Sequence, residues 1–442
     1  MAVLHKEYYK GAGNGQKNIR VNQDIRAYIE NHPDGDFSHV LAEDDRWQVF
    51  YHLSDMRTSI LNWYEWKEDA SILEVGGEFG ALTGLLCEHA AHVTTVEYGL
   101  FKAEAICRRY EDRHNLDIYA GNILDIEFEE EFDYIVMVGC LERQCGGSKS
   151  SKEYSEYLKK IVTLLKPNGR LLAAVDNRYG LRYFCGEVET YTGKPFAGIK
   201  HYPQAAKGYT FSRQELLNIM KEAGFKNVKF YYPLPDYKLA QMIYSDNYLP
   251  QKDLGERLLF YHRNQSTLLV PEQQLYSDLI DNQVFPFFAN SFLTESSLDG
   301  ESSSVLFAAV TTDRGKKHGL STCVHEISRK GEKKEGWIVK KRALYRDGQP
   351  SIESVYNNMM ELEKRGIPVV PHKIEGDAVV MPFIPDITCS DYLRKLVSVG
   401  DRETFEAIFE MLYKNILKSS EIVLDGENKL PEAKEILVEY GP

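Results

Sequence analysis

From Ser71 onward the chain alternates short apolar runs with segments in which apolar residues recur every three or four positions. The runs are SILEV, HVTTVEY, LDIYAGN, FDYIVMVG and GRLLAAVDN. Runs this apolar predict parallel strands covered by helices on both faces of one sheet, an α/β architecture. The helix before the fifth run is explicit: Tyr154, Tyr157, Leu158, Ile161, Val162 and Leu165 form one stripe, ended by Lys166-Pro167-Asn168-Gly169. Ser212 followed by Glu215 predicts a capping box at the start of another helix. Two further strands are expected at NVKFYYP and KLAQMIYS, closing a domain over 71–250.

The flanks read differently. Residues 1–70 predict an N-terminal helical cap, because Val49, Leu53, Met56, Ile60 and Trp63 recur at helical spacing in WQVFYHLSDMRTSILNWYEW. Residues 251–300 read as a helical connector ending in the polar stretch TESSLDGESSS, which places a domain boundary near 300. Beyond it, VLFAAVTTD and STCVHEIS predict a strand pair, GWIVKKRALY a third strand, SVYNNMMELEKRG an amphipathic helix and DAVVMPFIP one more strand. Together they make a smaller α+β domain over 301–442.

Composition narrows the classes of function. With 442 residues, 43% hydrophobic and 12% aromatic, the chain is globular and large enough for two or three domains. Its 53 basic and 66 acidic residues leave a net charge of −13, which repels phosphate backbones and argues against nucleic acid as the main partner. The seven cysteines form no CxxC pair and no zinc-type spacing with histidine, so reduced thiols and no metal site are expected. No stretch resembles a signal peptide or approaches the ~20 apolar residues of a transmembrane segment, so a cytoplasmic location is expected.

Chemistry concentrates at Leu73-Glu74-Val75-Gly76-Gly77-Glu78-Phe79-Gly80, a strand running into a glycine turn that opens a helix. Glycines there let backbone approach a ligand closely. Glu97, at the end of the next strand, is placed to accept hydrogen bonds from both hydroxyls of a ribose. The dinucleotide fingerprint GxGxxG is absent: the spacing is GGxxG, and the acid before the first glycine favours a sulfonium cofactor.

With GNILDI after the third strand and FDYIVMVGCLE at the fourth, this order resembles class I S-adenosylmethionine-dependent methyltransferases. The resemblance implies a Rossmann-like, seven-stranded sheet and S-adenosyl-L-methionine as cofactor. It implies Glu74, Gly76, Gly77 and Gly80 on the methionine side, Glu97 on the ribose, Asn122 or Asp125 on the adenine amine, and Gly139 of VGCLE beside them. The family usually carries ExGxGxG, whereas position 78 here is Glu in place of the middle glycine. Either Gly77 supplies the lost flexibility or the loop binds cofactor weakly.

Methyl transfer to a hydroxyl also needs a base. Open α/β sheets bind ligands at the C-terminal ends of their strands, so the candidates are Glu142 in GCLERQ and Asp176 in VDNRYG, with His201 as a further one. Residues 177–210, crowded with Tyr, Gly and basic side chains, are too long for a plain connector and predict a lid. Arg178, Tyr183 and Tyr191 are its candidate acceptor contacts; packing against the N-terminal helix is the other reading.

The combination of YHLSDMRTSIL, LEVGGEFGALTG, VGCLE, DNRYGLRYFCGE with TGKPFAGI, FYYPLPDYKL and FFANSFL resembles, over roughly 45–295, the methyltransferase portion of bacterial surface-polysaccharide (capsule or O-antigen) biosynthesis proteins. That implies a sugar or glycan acceptor, with other polysaccharide-assembly proteins as partners. The region after 300 resembles the N-lobe of a kinase-like phosphotransferase. There Lys340 or Lys341 would be the strand lysine, Glu353 or Glu361 the helix acid and MPFI the approach to the hinge. No HRD-like or DFG-like sequence follows, so a fragment of a longer protein is expected. The basic stretch between Arg314 and Arg342 fits either phosphate attraction or solvated hairpin tips. Two rival functions stay open: a phosphotransferase with an auxiliary methyltransferase-like domain, and a non-catalytic assembly scaffold.

Overall fold

The computed structural model describes residues 1–11, 19–261, 265–312, 315–327 and 336–420, with side chains to 418. Two units divide it, Met1–Ser351 and Ile352–Pro442. The tip segment KGEKKEG lies almost wholly outside the described residues.

The first unit opens with β1 (Val3–His5), α1 (Arg20–Asn31), α2 (Ser38–Glu43) and α3 (Trp47–Leu53). The helical spacing across 47–63 is interrupted after Leu53. Ser54 is extended there, and its hydroxyl accepts the Met56 N–H at 3.2 Å to start a 3-10 turn over Asp55–Ile60. Val49, Leu53, Ile60 and Trp63 are buried all the same.

Strands and helices then alternate: β2 (Ser71–Val75), α4 (Thr83–His89), β3 (His92–Glu97), α5 (Leu100–Arg109), β4 (Leu116–Ala120), β5 (Phe132–Val138), α6 (Ser151–Val162) and β6 (Leu165–Asp176). These strands run parallel in the order β1-β4-β3-β2-β5-β6. That is the arrangement the apolar runs predict. The Lys166–Gly169 segment lies inside β6, where the pairing with β5 jumps from Phe132↔Leu165 to Tyr134↔Arg170.

After α7 (Leu181–Phe184) comes α8 (Arg213–Glu222), whose capping box forms in both directions between Ser212 and Glu215. The chain continues through β7 (Asn227–Leu234), β8 (Met242–Ser245), α9 (Leu254–Arg257), α10 (Tyr276–Asp281), α11 (Phe285–Phe288) and β9 (Ser291–Ser297). Here the structure departs from expectation. β9 inserts antiparallel between β6 and β7, so the sheet does not close near 250. Every residue of β9 is buried although its sequence, SFLTESS, is largely polar. Thr294 donates to the Ala173 carbonyl at 3.3 Å and the Glu295 carboxylate accepts the Ser303 N–H at 2.8 Å, which satisfies part of that polarity inside.

The strands expected after 300 form as β10 (Val305–Thr311), β11 (Leu320–Glu326) and β12 (Trp337–Ala343), but they continue the same sheet as an antiparallel meander from β8. The boundary expected near 300 therefore falls within the first unit. Lys340 is 3.0 Å from Glu65, which also holds Arg342 at 2.9 Å, so this strand lysine is an ion-pair partner of the segment preceding β2.

In the second unit, α12 (Gln349–Lys364) precedes a hairpin of β13 (Lys373–Glu375) and β14 (Ala378–Pro382), then α13 (Cys389–Val399) and α14 (Arg402–Ser420). Glu361 pairs with Arg365 at 3.0 Å. Among the described residues, no helix is long and apolar enough to cross a membrane.

Candidate active site

The C-terminal ends of β2, β3 and β5 meet at the glycine turn. Gly76 and Gly80 have φ of 79° and 78°, and a Cβ at Gly76 would stand 2.9 Å from that of Cys140, so the turn requires glycine there. Glu78 occupies the position of the missing middle glycine and still takes φ 54°, a conformation that side chains disfavour. Three contacts hold it: its N–H donates to Glu97 at 3.0 Å, and its carboxylate pairs with Lys102 and, at 2.6 Å, with Arg143. Burial alone would raise the Glu78 carboxyl, but those two cations hold it well below the usual range.

Glu97 is buried at the end of β3, with one oxygen accepting from Glu78 N–H and the other from Gly99 N–H at 3.1 Å. Each oxygen keeps acceptor capacity for a ligand hydroxyl. Burial, reinforced by the neighbouring Glu78 charge, pushes its pKa up to about 7. A cleft of about 400 Å³ opens over it, lined among others by Gly76, Glu78, Glu97, Asn122 and Arg143. Of the two adenine candidates, Asn122 lines this cleft, and its side chain caps the following turn by accepting from Leu124 N–H at 3.0 Å. Asp125 faces away and pairs with Lys10 at 2.9 Å.

Glu74 lies beneath the loop, where one oxygen accepts from Thr83 at 2.6 Å and Thr95 at 2.8 Å. It lines a second, smaller cavity of about 30 Å³ with Gly76, Gly77 and Glu78. Gly80 serves packing: its carbonyl accepts from the Tyr110 hydroxyl at 2.6 Å. Gly139, with φ 68°, lies against the Tyr237 ring instead of lining either cavity.

The acid candidates separate sharply. Glu142, in the turn after β5, is wholly buried; one oxygen accepts the Asp176 N–H at 3.0 Å, and the other has no hydrogen-bond partner among the described residues. Burial and the Asp176 charge push its pKa up to about 7. Asp176 itself is committed: Lys238 is 2.5 Å away and the Thr190 hydroxyl donates at 2.9 Å. His201 is exposed at a left-handed turn of φ 55°, apart from these groups.

Residues 177–210 fold into a fixed cover. Arg178, expected to contact an acceptor, is buried against Glu215 at 2.5 Å and the Thr210 carbonyl at 2.6 Å, so it ties the cover down. Tyr183 is within 3.2 Å of the Thr190 hydroxyl, and Tyr191 packs on Gly208, whose Cβ would come within 2.7 Å of the ring. Sequence reasoning missed the groups supporting Asp176: Lys238 also lies 3.6 Å from Asp236, which pairs with Arg182 at 2.6 Å. It also missed Tyr51, His52 and Arg57, which line the smaller cavity from the N-terminal cap. In the one-dimensional pattern these are ordinary polar positions of an amphipathic segment.

A parallel sheet with a glycine turn after its first central strand and an acid after the next is the frame of a class I S-adenosylmethionine-dependent methyltransferase domain. Comparison with known proteins agrees: residues 47–229 match the methyltransferase domain family model, and S-adenosyl-L-methionine is the cofactor of that domain. Among curated relatives, demethylmenaquinone methyltransferase of Staphylococcus saprophyticus is 26% identical over 152 residues, 32% of this chain and 62% of that protein. Ribosomal RNA small subunit methyltransferase A of Syntrophus aciditrophicus is 35% identical over 81 residues, 18% of this chain and 29% of that protein. The chain thus matches less than two thirds of either relative's length. Among solved structures, N-methyltransferase NodS from Bradyrhizobium japonicum, in complex with S-adenosyl-L-homocysteine, is 22% identical, with a TM-score of 0.27 over 32% of this chain and 72% of that one.

Proposed function

We propose that the first unit transfers a methyl group from S-adenosyl-L-methionine to a hydroxyl of a sugar or glycan intermediate, with Glu142 as the proton acceptor. The unpartnered oxygen of the buried Glu142 carboxyl carries this reading. The cofactor supplies a methyl group already activated on a sulfonium. The protein's task is therefore alignment and removal of one proton.

The residues suit that cofactor. Glu97 offers free acceptor sites to a ribose, the glycine turn permits close backbone approach, and Asn122 lines the far end of the same cleft. A carboxyl with a pKa near 7 is matched to taking a hydroxyl proton at neutral pH. Asp176, ion-paired with Lys238, fits the role of fixing Glu142 through its own N–H. The sugar or glycan class rests on the resemblance in 45–295 and on the tyrosine-rich cover, and the polysaccharide-assembly partners follow from the same resemblance.

Mass spectrometry of nucleotide sugars and glycans incubated with methyl-labelled cofactor tests the reading. Label should appear in one acceptor, and the Glu142→Gln variant should bind cofactor as the wild type does while losing transfer. Transfer undiminished in that variant would remove Glu142 from the mechanism.

A further inference from the structure

The buried charges behind Glu142 are matched two against two. Asp176 and Asp236 are fully buried, and Lys238 and Arg182 nearly so. The Lys238 ammonium lies 2.5 Å from Asp176 and 3.6 Å from Asp236, and Arg182 closes the set at 2.6 Å from Asp236. The Lys238 backbone is fixed on both sides: its N–H donates to Asp236 at 2.8 Å, and its carbonyl accepts from Arg57 at 2.7 Å. Among the described residues, no other cation pairs with Asp176. Removing one partner of such a buried pair leaves an uncompensated charge on the other.

Glu142 stands just outside this set and depends on it. One of its oxygens accepts the Asp176 N–H at 3.0 Å, so whatever places Asp176 also places the Glu142 carboxyl. The Glu142 carbonyl is held separately, by the Tyr154 hydroxyl at 3.1 Å and the Tyr209 N–H at 2.9 Å. Besides Asp176 and Lys238, the titratable groups facing Glu142 are the phenols of Tyr154, Tyr191 and Tyr237 and the Cys140 thiol. Burial pushes all four up, so they are neutral at pH 7. Arg143, next along the chain, turns to Glu78 at 2.6 Å. The charges that bear on Glu142 are therefore Asp176, which opposes its ionisation, and Lys238, which favours it.

We propose that Lys238 is the positioning residue of the proton acceptor: by clamping Asp176 it holds that residue's N–H on the Glu142 carboxylate and offsets the like charge beside it. This rests on the reading of Glu142 as the base. Lys238 acts through Asp176 and touches no reacting atom, so removing its ammonium changes the protonation of Glu142 while the large cleft over Glu97 keeps its lining.

Infrared difference titration of the full chain, with neither acceptor nor cofactor added, tests this by reading the protonated Glu142 carboxyl as the band that Glu142→Gln removes. In the wild type that band should titrate near pH 7. In Lys238→Met it should persist to a pH higher by about one unit or more, because two neighbouring carboxylates left without a cation share a proton. Lys238→Arg, which keeps the charge, should bring the midpoint back toward the wild-type value. The Glu97 band, identified in the same way with Glu97→Gln, belongs to the other site and should stay in place in both variants. An unmoved Glu142 midpoint in Lys238→Met overturns the proposal, and so does a shift of both bands together, which would make Lys238 a support of the fold alone. A wild type in which Glu142→Gln removes no band near pH 7 overturns it as well. Because no acceptor is needed, these outcomes are read separately from the loss or survival of transfer in Glu142→Gln, which decides whether Glu142 is the base.

Discussion

Two groups of carboxylates flank β5, and they differ in what stands beside them. Around the turn after β2, Glu78 pairs with Lys102 and Arg143, while Glu97, among the described residues, accepts from two backbone N–H groups and forms no ion pair. Around the end of β6, Asp236 pairs with Arg182 and Lys238, while Glu142, among the described residues, accepts from the Asp176 N–H and forms no ion pair. The paired acids, Glu78 and Asp236, are held well below the ordinary carboxylate range despite burial, and the unpaired ones rise to about 7. Glu97, Glu142 and Asp236 are buried and Glu78 is half-buried. A cation in direct contact turns such an acid into a strut, and an acid without an ion pair stays able to exchange a proton or receive a ligand.

The strongest way to break this contrast is Glu142→Gln, which should lower kcat by about 10²- to 10⁴-fold with cofactor affinity unchanged. In the wild type, kcat should fall as pH drops through about 7, because the base must be ionised, and the variant's residual rate should be flat there. Next is Asp236→Asn, which strands Arg182 in a buried site; urea unfolding should show a loss of about 3–5 kcal/mol. Glu97→Gln should weaken cofactor binding by about tenfold or more in calorimetry, since an amide accepts poorly from two hydroxyls. Wild-type affinity should likewise decline below pH about 7 as Glu97 takes up its proton. The sign for stability is the opposite. Glu97 and Glu142 hold protons more tightly folded than unfolded, so their contribution is greatest below the ordinary pKa of 4.5 and is lost as pH rises through about 7.

The smallest effect sharpens the comparison most. Glu78→Gly relieves the positive φ and removes the charge beside Glu97. The pH midpoint of cofactor binding should move down by about one unit or less, a like-charge effect. An unmoved midpoint would mean that Glu97 owes its elevation to burial alone.

Much of the front of the molecule was legible from pattern. Five apolar runs became β2 to β6, Ser212 and Glu215 formed their capping box, and the turn, Glu97 and Asn122 came together at one cleft. The rest was hidden for definite reasons. β9 reads SFLTESS, and a strand buried among other strands can satisfy serines, threonine and glutamate internally, so its polarity pointed to a boundary that is not there. Lys340, the strand lysine of the kinase-like resemblance, has Glu65 as an ion-pair partner, which nothing in its own strand announces. Arg178 read as an acceptor contact, and its geometry made it a tie for the cover.

Local periodicity by itself determined the parallel strands and their order along the chain, because those depend on short-range spacing; the cofactor class came from the resemblance that the glycine turn, Glu97 and that order carry. Which acids are paired and that the meander after 300 joins the same sheet were decided only in three dimensions. Each depends on contacts between residues far apart in sequence, such as Asp176 with Lys238 and Lys340 with Glu65, and no run of neighbouring residues encodes such a distance.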